Sequence, residues 1–201
     1  MYRVYGDLKS GNCYKIKLLM DLLCIEHEWV HVDVLSGETQ SDTFKDMNRN
    51  GKIPVLQISG NEYLSESNAI LNYLAEGTPF LPADKLARAR VLEWQFFEQY
   101  SHEPFIAVAR FINKYLGLPD DRLADYEAKQ EGGHKALAVM EQQLNETDFL
   151  VGDAVTIADI SLYAYTHVAY EGGFDLSKYP AINQWISRIS SIENFVAMPE
   201  E

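Results

Sequence analysis

The residues best suited to chemistry lie in two short segments of the first third of this chain. The segment from Asn50 to Ile70 carries Ile53-Pro54 at the mouth of a predicted strand and Glu66-Ser67 at the start of a predicted helix. Because proline gives no N–H group to a β-ladder, backbone groups beside it stay unpaired, and we expect them to hydrogen-bond to a peptide-like ligand. The first N–H groups of a helix attract a carboxylate, so a backbone edge and an anion site are expected one hairpin apart.

The second segment is the loop Ser10-Gly11-Asn12, which precedes an amphipathic helix. Serine at this position is typical of a helix cap or turn. The loop also follows the carboxyl end of a strand, where α/β units bind their ligands. A hydroxyl group in this loop can hydrogen-bond to a thiol or thiolate, and at this stage both roles stay open for Ser10.

Composition limits the possible partners. The 201 residues carry a formal charge of -13, which disfavours nucleic acid and anionic membrane surfaces. An anionic ligand therefore needs a local positive spot, for which Lys52 and the helix N-termini are candidates. No apolar run approaches a bilayer span and the first residues read as a strand, so we expect a cytoplasmic protein. Cys13 and Cys24 suit neither a zinc site nor a disulfide framework, and no metal is expected.

Hydrophobic periodicity predicts the element order β-α-β-α-β-β-α for the first part of the chain, with the first two strands parallel. Around Gly77 to Pro82 glycine and prolines break the periodicity, and beyond them only helical patterns follow. We predict a long helix from Lys85 to Tyr115 that Pro104 can kink, and a second from near Pro119 to Leu144. The fold class is α/β plus all-α, with domains at 1–77 and 84–201 joined by a linker at 78–83.

Thr156 and Asp159, at the predicted start of another helix, have the spacing of a capping box. Taken with the Ser10 loop, Ile53-Pro54 and Glu66-Ser67, this segment makes the chain resemble the cytosolic glutathione transferases over nearly its whole length. The resemblance implies a thioredoxin-like N-terminal domain, an all-helical C-terminal domain, glutathione as co-substrate and a homodimer.

The sequence pattern also predicts a last helix, which begins at Pro180.

The resemblance implies a role for each matching residue in binding glutathione. The backbone of Ile53, beside a cis Pro54, would pair with the cysteinyl part of glutathione. Glu66 and Ser67 would hold the γ-glutamyl end. Lys52 would meet the glycine carboxylate, although a solvated loop lysine is an equal reading of that residue.

The same resemblance implies that Ser10 activates the thiol as a hydrogen-bond donor, with Asn12 sharing or taking over that role. The thiolate would then attack a hydrophobic electrophile. Two alternatives stay open. One is thiol-disulfide oxidoreductase or peroxidase chemistry, for which Cys13 is the candidate residue. The other is a non-catalytic glutathione-binding or regulatory protein on the same scaffold.

The second substrate is expected between the domains, against the long predicted helix, which would also form much of a dimer interface. Aromatic residues at helical spacing are nevertheless more often core than pocket. Polar residues on the same helix can orient an electrophile or pair with nearby carboxylates. The candidate pocket residues are Tyr100, His102, Phe105 and Arg110.

Overall fold

A computed structural model describes residues 1–199. The chain divides into two compact units, one formed by Met1–Glu76 together with the segment from Ile192 onward, the other by Gly77–Ser191. The predicted boundaries at 77 and 84 stay predictions. The return of the last segment to the first unit is a feature that the sequence analysis did not foresee.

The first unit is a four-stranded mixed sheet with helices on both faces. Its strand order is β2-β1-β3-β4, with β1 parallel to β2 and the other pairs antiparallel. The elements are β1 Tyr2–Gly6, α1 Gly11–Leu22, β2 His27–His31, a 3-10 turn Glu38–Gln40, α2 Asp42–Met47, β3 Val55–Ser59, β4 Glu62–Ser65 and α3 Ser67–Ala75. This arrangement confirms the predicted order and the parallel first pair.

Alternation along the strands separates the two faces of the sheet. Val55 packs with Phe44 of α2 on one face. Val4, paired with Leu56, points to the other face, and both are fully buried. On that face α1 lies close to β1, because a Cβ atom at Gly6 would lie 2.5 Å from Cys13 Sγ. Glycine at this position therefore fixes how near the first helix comes to the sheet.

Residues 192–199 contact α1 and the turn that follows it. The Tyr14 hydroxyl donates to the Val196 carbonyl oxygen at 2.7 Å, and Met198 is buried. The Asn194 amide contacts Cys24 Sγ at 3.4 Å. The first unit is thus completed by residues from the far end of the described chain.

The second unit is helical, which confirms the predicted fold class. Its α-helices are α4 Lys85–Phe97, α5 Glu103–Arg110, α6 Leu123–Leu144, α7 Ile157–Thr166 and α8 Pro180–Ser190. Shorter turns lie at Glu98–His102 and Phe111–Tyr115, both π-helical, and at Asp120–Arg122, Ala169–Gly172 and Leu176–Lys178, all 3-10.

The predicted long helix passes through Pro104 without a break. Pro104 lies in the first turn of α5, and the preceding turn widens so that the Glu103 N–H bonds to the Glu98 carbonyl five residues back. A π-turn tolerates the missing proline N–H group because the ladder has already shifted by one residue.

The centre of this unit is α7, which is buried on every side. The predicted capping box is present: Ala158 N–H donates to Thr156 Oγ1, and Asp159 Oδ2 accepts from Thr156 N–H at 2.8 Å. Asp159 Oδ1 also accepts from Leu150 N–H and Trp185 Nε1, each at 2.9 Å. This carboxylate therefore joins the preceding loop and α8 to the start of α7.

Candidate functional site

The candidate residues of the first unit meet at one edge of its sheet. Val55, at the start of β3, pairs with Tyr5 near the end of β1 and with Ser65 at the end of β4. The loop that leaves β1, the peptide that enters β3 and the residues that follow β4 are therefore neighbours. The Ile53-Pro54 bond is cis, as predicted, and Pro54 is buried.

Glu66 and Ser67 lie where β4 passes into α3. Glu66 has φ 69 and ψ 112, a backbone conformation that costs a non-glycine residue of order 1–3 kcal/mol. Its side chain is exposed, whereas Ser67 is buried. Glu66 thus presents a carboxylate at the start of a helix, where the first N–H groups attract negative charge.

A hydrogen-bonded cluster, formed by the half-buried Asn12 and the buried Lys15 and Ser67, joins the N-terminal ends of α1 and α3. Asn12 Oδ1 accepts from Lys15 Nζ at 2.8 Å and from the Ser67 hydroxyl at 3.0 Å. Lys15 Nζ also donates to Ser67 Oγ at 3.3 Å. The two helix N-termini and one ammonium group therefore converge, which makes a positive site in a chain of formal charge -13.

Sequence reasoning missed Lys15. Its side chain is 0% exposed, on the same helix face as the buried Leu18, Leu19 and Leu22. These leucines follow Lys15 by three, four and seven residues, which is the spacing of one helix face. A lysine within such an apolar stripe is the sequence signal that indicates a buried lysine.

Ser10 is the N-cap residue of α1, and its carbonyl oxygen accepts from Tyr14 N–H at 2.8 Å. Its side chain forms no cap bond and instead is a hydrogen-bond partner of the Cys13 thiol. Burial raises the pKa of Cys13 to about 12, against the opposing effects of Ser10, the Asp7 backbone and the Lys15 charge. Cys13 is thus a neutral thiol at physiological pH, and the thiolate is the reactive form.

Lys52 is exposed, and its backbone carbonyl accepts from Asn48 Nδ2 at 2.7 Å. That bond fixes the main chain just before the cis peptide and leaves the side chain in solvent. Both readings of Lys52, ligand contact or solvated lysine, agree with this placement.

The four pocket candidates of the second unit separate into two pairs. Tyr100, which is 81% exposed, and Phe105 line a cavity of about 550 Å³ between the π-turn and α6. His102 is 0% exposed and its Nε2 lies 2.9 Å from Thr166 Oγ1. Arg110 is buried in an ion pair with Glu171. The structure does not bring these last two residues to the cavity.

Within residues 1–199 no three His, Cys, Asp or Glu side chains lie together as metal ligands. None of the helices there has both the length and the apolar content needed to cross a bilayer.

Comparison with known proteins identifies the family. The model of the glutathione S-transferase N-terminal domain matches residues 1–76, and that of the C-terminal domain matches residues 92–193. The chain belongs to the glutathione S-transferase family. A crystal structure of a glutathione S-transferase from Pseudomonas fluorescens is 57% identical, covers 99% of each chain and superposes with a TM-score of 0.98.

Glutathione S-transferase relatives with other activities are also similar to this chain. A probable maleylacetoacetate isomerase of Caenorhabditis elegans is 29% identical over 96% of this chain and 91% of its own length. The disulfide-bond oxidoreductase YfcG of Escherichia coli is 29% identical over 90% of this chain and 87% of its own. The family is therefore established, while the reaction within it has to be argued from the site.

Proposed function

We propose that this glutathione S-transferase binds glutathione at the edge formed by Pro54, Glu66 and the Asn12-Lys15-Ser67 cluster, and transfers its sulfur to a hydrophobic electrophile. The observation that carries the proposal is the hydrogen bond between Asn12 and Ser67, which holds the starts of α1 and α3 side by side next to a cis proline.

Each part of the tripeptide has a matching group at this edge. Glu66, exposed at the start of α3, supplies a counter-charge for the γ-glutamyl ammonium. The Ser67 N–H group at the start of α3 suits the neighbouring carboxylate, while the Ser67 hydroxyl donates to Asn12 Oδ1. Since proline has no N–H group, the cysteinyl part would pair with the backbone of Ile53, and Lys52 would approach the glycine carboxylate.

This placement puts the cysteinyl sulfur at the front of α1. A thiol of ordinary pKa near 8.5 must fall by about two units to be mostly thiolate at neutral pH, which needs roughly 2.7 kcal/mol. A hydrogen bond to a charged group contributes about 1.5–3 kcal/mol and a helix N-terminus about 0.3–1 kcal/mol. One or two donors from Ser10 and Asn12 are therefore sufficient.

The reaction then follows from the thiolate. The thiol proton leaves to solvent, and the sulfur lone pair forms the new C–S bond. In an aryl halide the C–halogen bond breaks and halide departs with its electron pair. Ser10 and Asn12 act as donors throughout, because a neutral hydroxyl and a neutral amide are too weakly basic to take the thiol proton, and the new bond is formed by the sulfur alone.

The test compares Ser10→Ala and Asn12→Ala with wild type for glutathione affinity, for the pKa of the bound thiol and for turnover of chlorodinitrobenzene. We expect at least one variant to raise the bound thiol pKa by about one unit and to lower turnover at neutral pH about tenfold. Ser59→Ala and Asn61→Ala, both at the exposed β3–β4 hairpin, are matched controls. Unchanged pKa and turnover in both test variants would contradict the proposed activation.

Disulfide exchange is the second candidate, favoured by the similarity to YfcG. At this site the attacking thiolate would come from glutathione, because Cys13 is buried with a pKa of about 12 and the exposed Cys24 lies beyond the opposite end of α1. Turnover of a glutathione mixed disulfide that persists in Cys13→Ala supports this reading. Turnover that disappears in Cys13→Ala would show instead that the protein thiol takes part.

Homodimer formation stays a prediction of the family resemblance, and a cytoplasmic location stays a prediction from the apolar pattern of the sequence. Light scattering of the purified protein tests the first, since a dimer doubles the mass of the chain. Cell fractionation tests the second.

A further inference from the structure

The helical unit has a cavity between α4, α6 and the loop that follows α6. Its volume is about 530 Å³, within the range of about 300–1,000 Å³ that is typical of small-molecule sites. Trp94 and Phe97 of α4 line this cavity together with Val139 of α6, which is 47% exposed. Because protein interiors are close-packed, an apolar cavity of this size calls for a physical explanation.

The loop that lines the cavity is fixed by hydrogen bonds. Leu150 is 2% exposed, and its N–H donates to Asp159 Oδ1 at 2.9 Å. Phe149 and Gly152 form a β-bridge around it, in which the Phe149 N–H donates to the Gly152 carbonyl oxygen at 3.0 Å. The cavity is therefore formed in advance, which reduces the entropy that a ligand loses on binding.

The side of the cavity on α4 is aromatic. The ring centroids of Trp94 and Phe97 lie 5.2 Å apart, and the two ring planes are nearly perpendicular at 79°. A flat ring beside such a pair can stack on one ring and meet the edge of the other. Aromatic contacts of these kinds bind more tightly than buried area alone would give, so the cavity favours an aromatic ligand.

Gln143 of α6 gives the cavity a hydrogen-bond acceptor. Its amide lies 3.0 Å from Thr147 Oγ1, and that hydroxyl lies 2.6 Å from the Phe149 carbonyl oxygen. Because a carbonyl only accepts, the hydroxyl donates to it and accepts from the amide, so the amide atom facing Thr147 is Nε2. Gln143 Oε1 is then left to accept from a ligand, since no donor among residues 1–199 reaches it.

The charged residues of the cavity balance each other. Arg90 Nη1 donates to Glu93 Oε2 at 2.9 Å, and both side chains are more than half exposed. An anionic ligand would add a second negative charge beside Glu93 in a chain of formal charge -13. A cationic ligand would add a second positive charge beside Arg90, and either ion would lose water against the apolar side chains. The cavity therefore favours an uncharged ligand.

We propose that this cavity binds an uncharged aromatic molecule with one hydrogen-bond donor, which donates to Gln143 Oε1 while the rings lie against Trp94 and Phe97. Every residue that lines the cavity belongs to the second unit, and none is among those proposed to bind glutathione. The inference thus goes beyond the proposed function and does not depend on it.

The experiment titrates the purified protein with N-phenyl-1-naphthylamine, an uncharged aromatic amine with one N–H group, whose fluorescence rises in apolar surroundings. We expect saturable binding to wild type. Gln143→Met keeps an apolar stem and removes the acceptor, so it should weaken binding about threefold to tenfold. Gln142→Met is the matched control, because this exposed neighbour does not line the cavity and its loss should leave binding unchanged.

Val139→Trp fills the cavity with a large ring and should weaken binding of the amine by about tenfold or more. Leu92→Trp is the control for this variant, since Leu92 is a similarly exposed aliphatic residue on α4 that does not line the cavity. Binding that is unchanged in both Val139→Trp and Gln143→Met would overturn the inference.

An anionic analogue tests the argument from charge. The compound 8-anilino-1-naphthalenesulfonate has the same rings and N–H group and adds a sulfonate, so it should bind about tenfold more weakly than the uncharged amine. Equal or tighter binding of the sulfonate would overturn the inference. A bound fraction of the amine that falls as the protein is concentrated would show that a second copy of the chain covers the cavity, which would overturn it as well.

Turnover of chlorodinitrobenzene distinguishes this inference from the proposed function. Gln143→Met and Val139→Trp should keep wild-type turnover, and loss of turnover in both would overturn a ligand site separate from the glutathione reaction. Wild type that turns over chlorodinitrobenzene but binds no amine would contradict the inference alone. Wild type that binds the amine but no glutathione would contradict the proposed function alone and support the inference.

Discussion

His167, at the end of α7, should make the protein lose stability in mild acid. Its ring stacks on Tyr163 with centroids 4.5 Å apart, and its Nδ1 donates to the Tyr163 carbonyl at 2.7 Å. Burial lowers the pKa of His167 from 6.5 to about 4; the bond to Tyr163 opposes this, Arg110 adds to it and Glu171 opposes it. Between these two values the unfolded chain binds more protons than the folded chain, so stability falls as the pH falls.

The size of this effect follows from the two pKa values. A pKa difference of about 2.5 corresponds to a contribution of roughly 3 kcal/mol to the free energy of unfolding. This contribution is present above pH 6.5 and is lost toward pH 4. When the pH falls from about 7.5 to about 5, the His167 imidazole lowers the free energy of unfolding by about 2 kcal/mol. Since an ordinary domain has only about 5–15 kcal/mol of stability, this loss is measurable.

Urea unfolding of wild type and His167→Phe at the two pH values tests this prediction. Phenylalanine keeps the stacked ring and cannot titrate. The backbone N–H of residue 167 also donates to the Tyr163 carbonyl oxygen, at 3.1 Å, and the substitution keeps this bond. We expect the variant to lose about 2 kcal/mol less than wild type on acidification. The exposed His31→Phe is the control and should behave as wild type; equal acid losses in all three proteins would refute the reasoning.

Two further predictions concern buried groups. Native protein should react with a thiol reagent at one cysteine, the exposed Cys24, and at two after denaturation, because Cys13 is enclosed and its pKa is about 12. Rapid native labelling of both would contradict this burial. Asp159→Asn should lower the free energy of unfolding by roughly 3 kcal/mol, because the amide turns a donor toward groups that now donate to the carboxylate. Thermal unfolding measures the loss. The control is Asp153→Asn, at an exposed residue of the loop before α7, which should melt as wild type does. Equal melting temperatures for the two variants would contradict the prediction.

Much of the fold could be predicted from local signals. Alternation in the strands, the Pro54 and Gly77 breaks and the Thr156-Asp159 spacing each depend on a few neighbouring residues, and the structure shows the elements they predict. A kink at Pro104 is predictable because proline lacks an N–H group. The structure has a π-helical turn before Pro104, and this change of backbone depends on how the whole helix packs and has no sequence signature.

The site was harder to predict than the fold because burial decides the role of a polar residue. His102 and Tyr100 lie two residues apart in the sequence, yet one is fully buried and the other is 81% exposed. Periodicity alone does not distinguish a core-facing from a cavity-facing residue on a helix covered on several sides. Lys15 shows the converse, since lysine is ordinarily exposed but here the side chain is fully buried and donates to Asn12 and Ser67.

The docking of the segment after Ile192 has a consequence for how the protein is made. The strands and helices of the first unit leave the ribosome early, but Val196, whose carbonyl oxygen accepts from the Tyr14 hydroxyl of α1, emerges only after the entire helical unit has been synthesised. Domains ordinarily fold as units in the order of synthesis. Here the helix that bears Asn12 and Lys15 gains its contact with Val196 only after residues 77–191 have been synthesised, so a ribosome stalled before residue 192 would display this helix without that contact.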